Sequence, residues 1–208
     1  MKIMKLSLKI LIYAVLALLI LNQAVGADDK RDAEELIKSK LEAAIAVLQK
    51  KELDKQQKNK EIMEIVSPIC DFELMAKLSL GKKHWPGLTE AQQKRFAEAF
   101  IKRLKETYLE KLNLYTDEKI TYLETVEVKT KVQIPTELIS KGSKIQILYK
   151  LYQSDHKWKI YDVEVEGVSI ISTYRSQFDQ ALTTGTIDDL VYKLEHPETE
   201  PPKQAQTK

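Results

Sequence analysis

Trp158-Lys159-Ile160-Tyr161-Asp162-Val163-Glu164-Val165-Glu166-Gly167-Val168-Ser169, running on to Tyr174-Arg175-Ser176-Gln177-Phe178, reads as a strand that turns sharply into a helix. Aromatic residues stand on both sides of the turn. Ser169 occupies the position of a helix cap, where its side-chain oxygen satisfies a first-turn amide. Asp162 is an odd carboxylate among apolar strand residues, and hydrogen bonding to backbone near the turn accounts for it. Such a segment either belongs to an ordinary core or walls a pocket for something apolar. Periodicity leaves both open.

The chain before it alternates with period two. Val126, Val128, Thr130, Val132 and Ile134 interleave with Glu127, Lys129, Lys131 and Gln133, which predicts one strand with a wet face, ended by Pro135. Ile145, Ile147, Tyr149 and Leu151 repeat the pattern after a turn at Lys141-Gly142-Ser143. Ser154-Asp155-His156 makes the next turn, into Trp158–Val165, and a shorter strand around Ile120 to Leu123 adds a fourth. Close turns between neighbours make the sheet an antiparallel meander.

Helices flank the sheet. Ile37, Leu41, Ile45 and Leu48 recur at helical spacing between Asp32 and Lys51; a second segment runs from Asp54 to Val66. Pro68 begins a short third helix through Phe72, Leu74, Met75 and Leu78, which Gly81 stops. Thr89 and Gln92 form a capping box, and after them Phe96, Phe100, Leu104, Tyr108 and Leu112 fall every four residues, flanked by Ile101, Leu109 and Tyr115. Two helices, Ser169 to Leu182 and Thr186 to Leu194, close the pattern. The expected fold is α+β: a mostly helical N-terminal half packed on a four-stranded antiparallel sheet, then C-terminal helices.

Both ends are read as lying outside that fold. Lys2, Lys5 and Lys9 precede the apolar run Ile10 to Leu21, and Ala24-Val25-Gly26-Ala27 supplies small residues before Asp28. A basic start, a short apolar stretch and a small-residue site predict a signal peptide over 1–27; a bilayer-spanning helix needs about 20 apolar residues. The tail 196–208, rich in Pro, Glu, Lys and Gln, is expected to be disordered. One domain over 28–195 remains. The full chain carries 33 basic and 31 acidic side chains; without the three signal lysines, 30 face 31 and the net charge is −1. That balance gives no electrostatic footprint for nucleic acid. Cys70 is the single cysteine, so packing rather than a disulfide must hold the fold. Its apolar neighbours predict a buried thiol.

The usual catalytic patterns are missing. His84, His156 and His196 lie far apart, and no HExxH or Cys-His cluster occurs, so no metal site is expected. Ser169 lacks the second glycine of a nucleophile elbow. No glycine-rich phosphate loop is present. The expectation is a protein that is not an enzyme and has no cofactor.

Taken in order, Phe72-Glu73-Leu74-Met75-Ala76-Lys77-Leu78-Ser79-Leu80-Gly81, Trp85, the aromatic helix after Thr89, Trp158, Tyr161-Asp162-Val163, Glu166-Gly167-Val168-Ser169, Tyr174-Arg175-Ser176-Gln177-Phe178, Gly185 and Asp188-Asp189-Leu190 resemble the MlaC (toluene-tolerance, Ttg-type) family. The resemblance covers nearly all of the expected mature chain. It implies a soluble periplasmic phospholipid carrier that shuttles glycerophospholipid between inner and outer membranes. The partners implied are an inner-membrane MCE-domain/ABC transporter complex and an outer-membrane lipoprotein–porin complex. It also implies acyl chains held in an apolar cavity between sheet and helices, with the headgroup toward solvent. Related proteins serve hopanoid pathways, so another envelope lipid, or a non-carrying adaptor of the same transporter, is the alternative. The lipid-binding residues expected on the facing surfaces are Phe96, Phe100, Leu104 and Tyr108 from the helix and Val128, Val132, Ile147, Tyr149, Val163 and Val165 from the strands, with Tyr174 and Phe178 closing one end. Arg175 is expected in a helix-surface salt bridge, with a headgroup contact as the sharper alternative.

Overall fold

The computed structural model describes residues 29–112, 119–140 and 142–197. The expected signal peptide, Tyr115, Lys141 and nearly all of the polar tail lie outside the described residues.

Helix α1 covers residues 29–49. Helix α2, Lys55–Val66, starts at a capping box in which Asp54 accepts from the Gln57 amide (2.8 Å) and Gln57 Oε1 accepts from the Asp54 amide (3.0 Å). A 3₁₀ turn at Ser67–Ile69 and extended backbone at Cys70 separate it from α3, Phe72–His84. Pro68 therefore starts a single turn, and the helix itself begins four residues later, capped by Asp71, which accepts from the Leu74 amide at 2.9 Å. Gly81 breaks α3 with φ 63 and ψ −171, a conformation open essentially to glycine alone. There Arg175 Nε donates to the Leu78 carbonyl at 2.8 Å, and a Cβ on Gly81 would lie 3.2 Å from that same nitrogen. This is the role of Arg175, in place of a surface salt bridge.

Helix α4, Glu90–Leu112, follows the Thr89–Gln92 capping box. Helices α5, Ile170–Thr184, and α6, Ile187–Glu195, begin at the caps Ser169 and Thr186. Phe96 and Phe100 of α4 are completely buried, and Phe178 of α5 meets both edge-on at centroid distances of 5.6 and 5.9 Å.

The antiparallel sheet has six strands: β1 Lys119–Tyr122, β2 Val126–Val128, β3 Lys131–Ser140, β4 Ser143–Ser154, β5 Lys157–Val165 and β6 Val168–Ser169. The order is β1-β3-β4-β5-β6, with β2 also paired to β3. The α+β class holds, while the expected count of four strands does not. What reads as one strand from Val126 is a hairpin that turns at Lys129, where φ is 60. A two-residue turn preserves even spacing, so the alternation passes through it unbroken. Its faces do not: Val128 pairs with Lys131 and Val126 with Gln133, which sets them opposite to Val132 and Ile134.

Pro135 does not end β3 either. Its carbonyl accepts from the Leu123 amide (3.0 Å), so the side of the strand that lacks an N–H faces the gap between β1 and β2. An edge with an interrupted neighbour is where a strand tolerates proline.

At the β5–α5 junction Asp162 is 6 % exposed. It accepts from Ser169 Oγ at 2.7 Å and the Ile171 amide at 3.2 Å, and pairs with Lys150 at 3.4 Å. The backbone hydrogen bond expected of it is present, and the lysine is an addition. Asp162→Ala leaves the Ser169 hydroxyl and the buried Ile171 amide without their acceptor and removes one of the two carboxylates paired with Lys150, at a cost of about 3 kcal/mol. Urea denaturation at neutral pH measures this; a loss below about 1 kcal/mol, the level of a surface pair, would show that the carboxylate does not anchor α5.

Candidate functional site

Between sheet and helices the structure leaves a cavity of about 250 Å³. Its sheet wall is Ile147, Tyr149, Val163 and Val165, which face one another in register across β4 and β5. A bulge contributes here: Lys150 pairs with Asp162 but Leu151 pairs with Ile160, leaving Tyr161 as the extra residue. Ile160 and Val163 can then both point at the helices although they are three positions apart.

The opposing walls come from four places. Leu104, Lys105, Tyr108 and Leu109 belong to α4, and Ile62, Met63 and Val66 to α2. Cys70, Phe72 and Met75 come from the approach to α3 and its first turn, and Ile170 and Ile171 from the start of α5. The segment ahead of α3 is held to the sheet by a bridge between Cys70 and Ile160 and by the Asp71 amide donating to the Ile160 carbonyl (2.9 Å). Tyr152 donates its hydroxyl to Asp71 on the same segment.

The few polar atoms in these walls feel a dry environment. Burial pushes the Cys70 thiol from its ordinary 9.0 up to about 12, and Lys105 and Lys159 only partly offset it. Burial likewise raises the Tyr108 and Tyr149 hydroxyls above the usual phenol range. All three are neutral at physiological pH. In this wall Cys70 acts as a small apolar group.

Of the residues expected to contact lipid, Leu104, Tyr108, Ile147, Tyr149, Val163 and Val165 come together on the cavity walls. The other six are elsewhere. Phe96, Phe100 and Phe178 form a closed aromatic core, and Tyr174 packs against Phe100 at 5.1 Å. Val132 is 3 % exposed opposite Leu151, in the core. Val128 is 41 % exposed on the far face of the sheet, because of the β2–β3 hairpin. The α2 wall, Cys70, Phe72, Met75, Lys105, Leu109 and the Ile170–Ile171 pair were not anticipated. Phe72 and Met75 share one face of a helix at i, i+3 spacing, a signal that marks an inward face without saying what it meets.

The fold and this chamber define an α+β protein with an apolar cavity between its layers. Residues 38–196 match the family model described as MlaC protein, and the chain belongs to that family. Among solved structures it is similar to the phospholipid-binding protein from Ralstonia solanacearum, determined in complex with a phospholipid. The two share 22 % identity and a TM-score of 0.71 over 78 % of this chain and 94 % of that one. At that identity the likeness bears on the fold. A de novo designed protein with a curved β-sheet aligns over 29 % of this chain and 59 % of its own, at 6 % identity and a TM-score of 0.26.

The thiol gives a pH test. A proton held by Cys70 up to about 12 in the fold but only to about 9.0 in the open chain stabilises the native state fully below pH 9, and the gain disappears between pH 9 and 12. Urea midpoints should therefore fall above pH 9 and fall less in Cys70→Ala. Identical slopes in the two proteins would mean that the thiol is not shielded.

Proposed function

We propose that this chain is a soluble periplasmic carrier that shuttles glycerophospholipid between inner and outer membranes, with acyl chains in the cavity and the headgroup toward solvent. The observation that carries the reading is the wall itself: among the described residues, apolar and aromatic side chains from four helices and two strands make up nearly all of it, with Lys105 the one charged side chain. Membership of the MlaC family and the phospholipid bound by the similarly folded Ralstonia protein support it. The basic and apolar N-terminal segment supports export. Exchange partners fitting this reading are an inner-membrane MCE-domain/ABC transporter complex and an outer-membrane lipoprotein–porin complex.

The energetics explain why enclosure is needed. Each methylene kept from water is worth about 0.8 kcal/mol, so the two chains of a phospholipid amount to on the order of 20 kcal/mol. A bilayer hides the same surface, so transfer between membrane and carrier is close to neutral, and direction comes from the partners. At about 250 Å³ the cavity is smaller than pockets for drug-sized ligands, roughly 300–1,000 Å³. Loading two full chains therefore parts the walls. The α2 wall is suited to yield, because Ile62 packs with Val47 and Leu48 in a cluster separate from the main core.

Native mass spectrometry of the purified mature protein should show bound phospholipid, and the protein should take up labelled phospholipid from vesicles. Absence of both would overturn the carrier reading in favour of a non-carrying adaptor; recovery of a hopanoid would replace the cargo. Val163→Trp fills the sheet wall of the cavity and should lower lipid occupancy several-fold while the circular dichroism spectrum keeps its native form. Unchanged occupancy would place the lipid elsewhere.

A further inference from the structure

Lys105 is the one charged side chain among the sixteen residues that line the cavity. It projects from α4 between the wall residues Leu104 and Tyr108, and its Nζ lies 4.5 Å from the ring centroid of Phe72, another wall residue. The residue is half-buried, and its ammonium lies over the face of a wall ring. Among the described residues it forms no ion pair. The contrast with Lys150 is informative. That side chain is 17 % exposed and pairs with two carboxylates, Asp162 and Glu164. Among the described residues the Lys105 ammonium meets the face of Phe72 and no carboxylate.

We propose that Lys105 pairs with the phosphodiester of the bound lipid and makes the cavity selective for lipids that carry one. This rests on the carrier reading above and assigns the residue that selects its cargo. A phosphodiester is attached through glycerol directly to the acyl chains, so it sits at the boundary between the apolar chamber and water. Groups beyond it, choline, ethanolamine or glycerol, lie farther out and meet no matching charge on the walls. Selection by Lys105 therefore accepts phospholipids with different headgroups and discriminates against neutral diacyl lipids and hopanoids. A charge-assisted hydrogen bond at the edge of an apolar site is worth about tenfold in affinity.

The test presents the mature protein with vesicles containing equal amounts of phosphatidylglycerol, phosphatidylcholine and dioleoylglycerol, and measures the lipids loaded by mass spectrometry. The wild type should load both phospholipids over diacylglycerol by about tenfold. Lys105→Met, which keeps the length and apolarity of the stem, should bring that ratio close to one, and Lys105→Arg should retain most of it. Lys102→Met, exposed on the same helix, should keep the wild-type ratio, and thermal unfolding confirms that each variant is folded. A wild type without the preference, or a Lys105→Met protein that keeps it, overturns the assignment. Millimolar inorganic phosphate should leave the ratio unchanged; if it abolishes the preference, the anion is a free ion and the assignment also falls. A wild type that loads none of the three lipids overturns the carrier reading, and this inference with it.

Discussion

The Asp162 carboxylate is the fixed point from which the site is built. It sits in β5 just before the cavity residues Val163 and Val165, and it holds three things at once: the Lys150 ammonium on β4, the Ser169 hydroxyl and the Ile171 amide at the start of α5. A buried carboxylate is costly unless its oxygens are matched. Here the matching partners determine where the chain goes next. Glu166 and Gly167, both at positive φ (51 and 75), close the two-residue turn that brings Ser169 back beside Glu164. Helix α5 must then start against the sheet, which puts Ile170 and Ile171 on the cavity wall. Farther along α5, Arg175 reaches the Leu78 carbonyl and Asp179 reaches His84 at 2.7 Å, so the same helix fixes α3.

Helix α4 shows how one stripe is divided between core and cavity. Phe96 and Phe100 in its first half meet Tyr174 and Phe178, whose rings fill the space completely. Leu104 and Tyr108, one and two turns farther on, border the chamber. The period of the stripe is the same throughout, because periodicity records which side of a helix faces inward. Whether that side is filled depends on how far a second helix extends alongside it.

That distinction explains what was legible. The helix caps at Thr89 and Ser169 could be read locally, since each depends on residues within a few positions. The β2–β3 hairpin could not. Lys129 takes a left-handed φ of 60 that β-hairpins usually assign to Gly or Asn, and the valines continue across it without a break. A single strand was the natural reading, and it put Val128 on the wrong face. The α2 wall was hidden for another reason: Ile62 and Val66 look like an ordinary amphipathic stripe, and their approach to Tyr149 and Val163 is a fact of tertiary packing alone.

The cavity also has a cost that bears on its purpose. Unfilled apolar volume weakens a protein by about 24 cal/mol per Å³, which for about 250 Å³ amounts to on the order of 6 kcal/mol. That is comparable with the whole net stability of a typical domain, about 5–15 kcal/mol. Larger side chains at Val163, Val165 or Ile170 would remove the deficit without disturbing the Asp162 anchor or the aromatic core. The chain keeps small branched residues there and sets one cation beside them. Both choices cost stability in the empty protein, and in the proposed carrier both would be offset when an apolar chain with an anionic end fills the space.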